Sequence, residues 1–271
     1  MPEIDFRRTP VTILLAIAII ALEIVCTLDP ERRSYYYQTC HLGLLPTVWD
    51  GELWQPFTTA LLHAGLLHAA FNVWWLWIFG QVLEPRFGSP RFLLVCVLLS
   101  YASMLSQFIV ANYSMPPEAE HGVVGFSGVN YGLFGMLWVG RRWEREFYSV
   151  CNQATVRLML SWFVLCIVLT HADLMPVANI AHGSGMLFGV LFGLACFAPA
   201  RRWAWRALAT LATTAVLATL IACPGHEGYK AMREIQRWRA LEKQLNALRC
   251  GPPGGESQHP GPAGKNTPGT P

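Results

Sequence analysis

Seven apolar blocks constrain what this 271-residue chain can fold into. A helix needs about 20 mostly apolar residues to cross the hydrocarbon core of a bilayer, and the range reaches down to about 17. Six blocks meet or approach that length, whereas the fourth is short and starts inside the polar sequence GFSG (125–128). The blocks are Val11–Leu28, Leu61–Leu83, Phe92–Ala111, Ser127–Gly140, Val156–His171, Val177–Pro199 and Ala207–Cys223.

The composition favours a membrane protein. Only 14% of the residues are charged and 53% are hydrophobic, whereas a soluble domain has about 25% charged residues. Most blocks lack an amphipathic face, which argues against buried helices of a large soluble protein. Because hydrocarbon offers no partner to open backbone groups, the blocks should be helices rather than strands. The sequence predicts an all-α, multi-pass integral membrane protein.

The basic residues predict the orientation in the membrane. With the N-terminus in the cytoplasm, eleven arginines lie on the inside before the last block, and only Arg32 and Arg33 lie outside. A span at Ala207–Cys223 then puts the C-terminal tail outside, although that tail is itself basic. The net charge of +3 follows from this asymmetry and indicates no nucleic-acid partner.

Composition divides the chain into four parts. We expect a cytoplasmic N-terminus at residues 1–10, a membrane domain at 11–223, a charged helical tail at 224–250 and a disordered Gly/Pro-rich tail at 251–271. The loop 29–60 exceeds a normal connection and should have structure of its own.

The eight cysteines show no CxxC pair and no zinc spacing. Cys223 and Cys250 would both lie outside if the seventh block spans, where an oxidising periplasm permits a disulfide.

Polar residues at membrane depth are costly and tend to be functional. In the predicted topology the second, fourth and sixth blocks all run from outside to inside, with their polar residues in the outer half. The three sets can therefore converge at one depth. They are His68 and Asn72, then Ser127, Asn130 and Tyr131, and finally Asn179, His182 and Ser184.

Ser127 and His182 form a candidate catalytic pair. Ser127 starts a helix, where free amides and partial positive charge can hold an oxyanion, and a serine nucleophile needs a base such as His182. Gly128 and Gly132 on the fourth block, and Gly185, Gly189 and Gly193 on the sixth, have the spacing that lets membrane helices pack closely. The alternatives are an N-cap serine and a histidine that only packs against a neighbouring helix.

Three further residues fit around this pair. Tyr131 lies one turn after Ser127 and can pack against the imidazole, and His68 and Asn72 share a helix face and can supply oxyanion donors. The alternatives are an interfacial aromatic for Tyr131 and interhelical hydrogen bonds for His68 and Asn72. His63 is a weaker oxyanion candidate and is expected to brace the outer loop. No acidic residue accompanies the pair in the outer halves of these helices, which predicts a dyad rather than a triad.

Over about residues 52–197, the chain resembles the rhomboid intramembrane serine proteases. The matching stretches keep the order and spacing of that family. They are HAGLLHAAFN (63–72), EPRFGS (84–89), GFSGVNYGLFG (125–135) and ANIAHGSGMLFG (178–189).

The resemblance implies a six-helix bundle, here with a seventh C-terminal transmembrane helix, in a bacterial inner membrane. It implies that Ser127 is the nucleophile and His182 the general base, and that the Ser127 amide joins the two oxyanion donors. Tyr131, Gly128, Gly185 and Asn179 would support the site, and residues 173–177 would form a mobile cap.

The resemblance also implies transmembrane protein substrates cut near small residues, contact with membrane lipid, no cofactor and no metal. The pair formed by Glu84 and Arg86 would be structural.

The chain departs from the family pattern in the outer loop. Trp54-Gln55 stands where many members have Trp-Arg, and Thr59 stands where a histidine is common.

Two other functions compete with proteolysis. An inactive rhomboid-like protein that binds clients would usually lack Ser127 or His182, and a transporter should show inverted repeats or broken helices in both halves.

Overall fold

The structure is a computed structural model that describes residues 6–114, 123–222 and, farther on, 231, 234–235, 237–239, 241–242 and 244–246. Residues up to 230 form one unit, and the later ones form another, whose described positions are helical. The predicted disulfide pair, Cys223 and Cys250, and the tail at 251–271 lie outside the described residues.

Helices make up the described membrane unit, and no strand occurs among its described residues. A short 3-10 turn, Phe6–Arg8, precedes the first helix. The helices are α1 (Pro10–Leu28), α2 (Glu31–Ser34), α3 (Gln55–Leu61), α4 (Leu66–Phe87), α5 (Ser89–Ser114), α6 (Ser127–Gly140), α7 (Gln153–His171), α8 (Asn179–Phe197) and α9 (Arg202–Ala222).

Six of these helices are long and apolar enough to cross a membrane, namely α1, α4, α5, α7, α8 and α9. The predicted all-α membrane fold is therefore confirmed. The seventh block is α9, whose length and hydropathy suit a span.

The short fourth block is the centre of the bundle. α6 has 14 residues, and every residue from Gly128 to Leu137 is buried. It packs against α4, α5 and α8, and ring contacts such as Phe79 with Phe134, at 6.4 Å between centroids, fill the space beside it. Because other helices surround α6, its length need not match the bilayer.

The second block was predicted as one helix from Leu61, and this boundary is wrong. α3 ends at Leu61 and α4 begins at Leu66. Gly65 precedes α4 with a φ of 146°, a conformation that a side chain disfavours. The break leaves a short connection that carries the buried His63, and this connection becomes part of the site.

The loop between α1 and α4 has structure of its own, as predicted, including α2, α3 and two short turns. Gln55 ties it together. Its carboxamide oxygen accepts from the Leu45 amide at 2.9 Å, and its nitrogen donates to Thr47 Oγ1 at 2.7 Å and to Glu52 Oε2 at 2.5 Å. Gln55 therefore braces this loop by joining the Leu45 amide, the Thr47 hydroxyl and the Glu52 carboxylate.

Glu84 and Arg86 do not pair with each other. The buried Glu84 carboxylate accepts from the amides of Val11 and Thr12, both at 2.8 Å, and from Thr12 Oγ1 at 2.7 Å. It caps the first turn of α1, where amide donors have no helical partner. Arg86 instead forms an ion pair of 2.7 Å with Glu144.

Several helix ends meet at one end of the bundle, which we call the loop end because it carries the 29–65 loop. They include the C-terminal ends of α1, α5 and α7 and the N-terminal ends of α4, α6 and α8. Thr59 and Gly125 connect across it, with the Gly125 amide 3.4 Å from the Thr59 carbonyl oxygen. The three predicted polar sets all lie toward this end.

Candidate active site

Ser127 and His182 lie within hydrogen-bonding distance at the loop end. His182 Nε2 is 2.8 Å from Ser127 Oγ, although 55 residues separate the two along the chain. Ser127 is the first residue of α6, and His182 lies in the first turn of α8. His182 is 4% exposed, whereas Ser127 is half-buried. The hydroxyl is thus the more accessible of the two groups.

The glycines predicted at the interface allow this approach. A Cβ added at Gly185 would overlap the carbonyl oxygen of Gly128, and one added at Gly189 would overlap that of Gly132. In both cases the obstacle is backbone, which cannot rotate away as a side chain can. α6 and α8 therefore touch backbone to backbone just below the Ser127–His182 pair.

Tyr131 packs against the imidazole, as predicted. The two rings lie 4.7 Å apart between centroids and are tilted by 33°. The Tyr131 hydroxyl donates to the Met159 carbonyl oxygen on α7 at 3.1 Å. Within the described residues, His182 Nδ1 has no hydrogen-bond partner. Packing, rather than a carboxylate, therefore restrains the imidazole in the described part of the chain.

The turn before Ser127 depends on a glycine. Gly125 has a φ of 110°, in the region that only glycine adopts at low cost. A Cβ at this position would also lie 2.7 Å from His68 Cε1. Gly125 thus lets the chain turn into α6 while the His68 ring closes against the turn.

The two predicted oxyanion donors lie on α4, which packs against α6. The Asn72 carboxamide donates to the His68 carbonyl oxygen at 2.9 Å and accepts from Asn130 Nδ2 at 3.1 Å. Asn130 Nδ2 also donates to the Asn72 carbonyl oxygen at 3.0 Å. Asn72 therefore fixes α4 to α6. The bond to His68 uses only one of the two N–H groups of its carboxamide.

Three hydrogen bonds hold the segment before Ser127 against the loop. Thr59 Oγ1 donates to the Val123 carbonyl oxygen at 2.5 Å, and the Gly125 amide donates to the Thr59 carbonyl oxygen. The Phe126 amide donates to His63 Nε2 at 3.3 Å. His63 and Thr59 thus brace the chain next to Ser127, whereas the sequence analysis expected His63 to brace the outer loop.

The tautomer of His63 follows from its partners. Nε2 accepts from the Phe126 amide, so Nδ1 carries the proton and donates to the Leu61 carbonyl oxygen at 3.1 Å. Burial, and then the charge of the neighbouring His68, lower the pKa of His63 to about 3. The imidazole therefore stays neutral near pH 7, as its acceptor role requires.

Asn179, the first residue of α8, forms a hydrogen bond with α7. Its carboxamide donates to Thr170 Oγ1 on α7 at 2.8 Å, and the Thr170 hydroxyl lies between two acceptors, the Cys166 carbonyl oxygen at 2.9 Å and the Met175 carbonyl oxygen at 3.3 Å. Asn179 thus connects α8 to α7 and to the loop 173–177. In this structure it makes its hydrogen bond with α7 rather than with Ser127.

Gln107 was missed by the sequence analysis. Its Oε1 accepts from the amides of Ile180 and Ala181, at 3.0 and 3.2 Å, at the start of the helix that carries His182. As the one carboxamide in the block Phe92–Ala111, it could have drawn attention, since polar residues at that depth are costly. The partner, however, lies 73 residues away in the sequence.

The arrangement suits acyl transfer. It joins a hydroxyl, an adjacent nitrogen base and the free amides of a helix start, close to side chains that can donate further hydrogen bonds. The hydroxyl lies at the N-terminus of α6, where the helix dipole favours developing negative charge.

Comparison with known proteins agrees with these features. A family model described as the Rhomboid domain matches residues 50–199, more than half of the chain. The chain is also 28% identical over 198 residues to a protein of Enterobacter sp. (strain 638) named Rhomboid protease GlpG. That similarity covers 72% of this chain and 66% of the relative, slightly under two thirds of its length.

Proposed function

Because the chain belongs to the rhomboid family, we propose that this integral membrane protein is an intramembrane serine endopeptidase. It cleaves membrane-protein substrates within or beside the bilayer and uses Ser127 and His182 as a catalytic dyad. The observation that carries the proposal is the 2.8 Å contact between Ser127 Oγ and His182 Nε2. The name of the Enterobacter relative, a protease, supports the same activity.

The reaction begins with proton transfer. His182 Nε2 takes the Ser127 proton while Oγ attacks the scissile carbonyl carbon. His182 then holds two N–H protons and gives one to the leaving amine, which produces an acyl-serine. Water, activated by the same imidazole, hydrolyses the ester and restores both residues.

The oxyanion formed by the attack lies between α6 and α4. The Ser127 amide is the first donor, and Asn72 and His68 donate from the α4 side. Tyr131 stacks on the imidazole and keeps Nε2 directed at Oγ. Gly128 and Gly185 let the two helices hold this geometry.

The site opens toward the loop end. We place this end on the outer side of a bacterial inner membrane, with the N-terminus in the cytoplasm, because the basic residues concentrate at the opposite end. Single-span membrane proteins with small residues at the cut are the proposed substrates. An inactive client-binding role has no support in this geometry, since nucleophile and base are both present and adjacent.

A fluorophosphonate probe tests the proposal. We expect the purified protein in detergent to be labelled on Ser127, as found by peptide mapping, because the probe reacts with activated serines. Ser127→Ala and His182→Ala should each abolish labelling and substrate cleavage, with losses of several orders of magnitude.

Ser184→Ala is the matched control. Ser184 lies on α8 near His182, but its hydroxyl donates to the Ile180 carbonyl oxygen within its own helix. This variant should keep labelling and cleavage. Cleavage by Ser127→Ala at the wild-type rate would refute the assignment.

A further inference from the structure

The helix that carries His182 begins without a cap of its own. Its N-cap residue is Ala178, whose side chain cannot accept a hydrogen bond. The first residue of the helix, Asn179, uses its carboxamide to donate to α7. The amides of Ile180 and Ala181 therefore need an acceptor from elsewhere.

Gln107 provides that acceptor from a different helix. One oxygen, Oε1, receives both amides, at 3.0 and 3.2 Å. This is the pattern of a side-chain N-cap, except that the capping residue lies on α5, 73 residues before the first amide that it binds. The cap therefore fixes the position of α8 relative to α5 as well as its first turn.

The capped turn is the one that holds the base. The His182 amide donates to the Ala178 carbonyl oxygen at 3.1 Å, so His182 closes the first turn of α8. Fraying of this turn would move the Cα of His182, and with it Nε2. Rates in such sites are sensitive to displacement, because about 1 Å of misplacement can cost on the order of 10²-fold.

α5 also contacts the helix that carries the nucleophile. Ser103 lies four residues before Gln107 and is thus on the same face of α5. A Cβ at Gly128, the residue after Ser127, would lie 2.7 Å from Ser103 Cβ. One face of α5 therefore holds the start of α6 through Ser103 and the start of α8 through Gln107.

We propose that Gln107 is a positioning residue, which caps α8 from α5 and thereby holds His182 in register with Ser127. The inference rests on the proposed function, because it assigns Gln107 a role in the same reaction. Gln107 touches neither reacting atom, and it acts through the backbone of Ile180 and Ala181.

Two substitutions of Gln107 distinguish the loss of its acceptor oxygen from the loss of its side-chain packing. Gln107→Met keeps the length of the side chain but removes Oε1, whereas Gln107→Glu keeps an oxygen at that position, where negative charge suits a helix N-terminus. We expect Gln107→Met to lower kcat about 10- to 100-fold with KM within about twofold, because the base is displaced rather than the substrate site. Gln107→Glu should restore kcat to within a few-fold of wild type.

Hydrogen exchange gives a readout that does not depend on activity. The Ile180 and Ala181 amides should lose protection in Gln107→Met and keep it in Gln107→Glu. Asn152→Ala is the matched control, since Asn152 Oδ1 caps α7 by the same kind of bonds, to Ala154 at 2.9 Å and Thr155 at 3.1 Å. It should lose protection at α7 and leave kcat unchanged.

Each measurement either supports or contradicts the positioning role of Gln107. A wild-type kcat in Gln107→Met despite lost protection would overturn the proposal, and so would an equal loss of kcat in Asn152→Ala or a failure of Gln107→Glu to recover. If the wild-type protein neither cuts substrate nor labels at Ser127, the proposed function fails and the catalytic role of Gln107 falls with it. The exchange data would still report whether Gln107 caps α8.

Discussion

The carboxamide of Asn72 has two roles that mutation can separate. One of its N–H groups donates to the His68 carbonyl oxygen, and its oxygen accepts from Asn130. The other N–H is the proposed oxyanion donor. An interaction made only in the transition state changes kcat rather than KM.

We therefore expect Asn72→Ala to lower kcat with little change in KM. Loss of one oxyanion donor costs about 10²–10³ in a soluble serine protease, and the Ser127 amide and His68 remain here. The effect should be smaller than that of Ser127→Ala. Initial rates on a membrane-protein substrate, over a range of concentrations, measure both constants.

Asn130→Ala is the control, because it breaks the same bonds between α4 and α6 but leaves the Asn72 carboxamide in place. It should keep kcat within a few-fold of wild type. A loss in Asn72→Ala confined to KM, or one matched by Asn130→Ala, would contradict the oxyanion role.

His63 makes the stability of the protein depend on pH. Its pKa is lowered to about 3 in the folded protein, whereas an unperturbed histidine has a pKa of about 6.5. Between these values the unfolded chain binds a proton that the folded chain does not. The stabilisation is therefore complete above about pH 6.5 and is lost as the pH falls toward about 3.

We expect the free energy of unfolding in detergent to fall between pH 6.5 and pH 4, by at most about 1.4 kcal/mol per pH unit from this residue. His63→Gln should reduce that slope, because Gln Oε1 can accept from the Phe126 amide without titrating. Denaturant unfolding at both pH values measures the difference between the two proteins. Identical slopes would show that His63 titrates normally.

At the scale of helices, the contact between α6 and α8 determines whether the site exists. The two helices approach at Gly128 and Gly185 and again at Gly132 and Gly189, with backbone against backbone. Hydrocarbon tails compete for the same apolar surface, so close packing is the main source of association between membrane helices. A side chain at this contact has no space to occupy.

Gly185→Ala should therefore push α8 away from α6 and separate His182 from Ser127. We expect a loss of cleavage of about 10²-fold or more, together with a lower unfolding free energy of about 1–3 kcal/mol from overpacking. Fluorophosphonate labelling and denaturant unfolding measure the two effects.

Gly183→Ala is a control on the same helix, one residue after His182. A Cβ there would meet Phe163 Cζ at 3.5 Å, an ordinary contact. This variant should label and cleave at close to the wild-type rate. Equal losses in Gly183→Ala and Gly185→Ala would place the cause outside the α6–α8 contact.

At the scale of the whole molecule, the number of membrane-spanning helices and the basic residues of the C-terminal tail predict opposite sides of the membrane for that tail. A span by α9 puts the tail on the side of the loop end, whereas the basic residues of the tail favour the cytoplasm. α9 carries no charged residue between Ala207 and Ala222, and Arg202 and Arg206 lie at its start. We therefore expect α9 to span the membrane.

A cysteine placed at Gly255 tests this topology. In a variant with Cys40, Cys223 and Cys250 replaced by serine, a membrane-impermeant maleimide should label Gly255→Cys in intact cells. Cys40 is exposed on the 29–65 loop and, when restored alone, should be labelled in the same way as a positive control. Labelling at Gly255→Cys only after lysis would place the tail inside.

The sequence by itself determined the class of the fold and predicted most of the residues of the candidate site. Spanning length and hydropathy are local properties, so they identify helices without any knowledge of their neighbours. The position of Ser127 at a helix start and the spacing of Gly185 and Gly189 are local too. Combined with alternating topology, they predicted that Ser127 and His182 would meet, and the structure has them 2.8 Å apart.

Only the tertiary structure decided which groups hold that pair in place. Gln107 and the amides of α8 are 73 residues apart, and His63 and the Phe126 amide are 63 residues apart. No periodicity relates such partners, because each contact depends on the rotation and depth at which helices dock. The break at Gly65 likewise results from a backbone conformation, and it places His63, which the sequence put inside the second block, in a short connection where its ring accepts from the Phe126 amide beside the nucleophile.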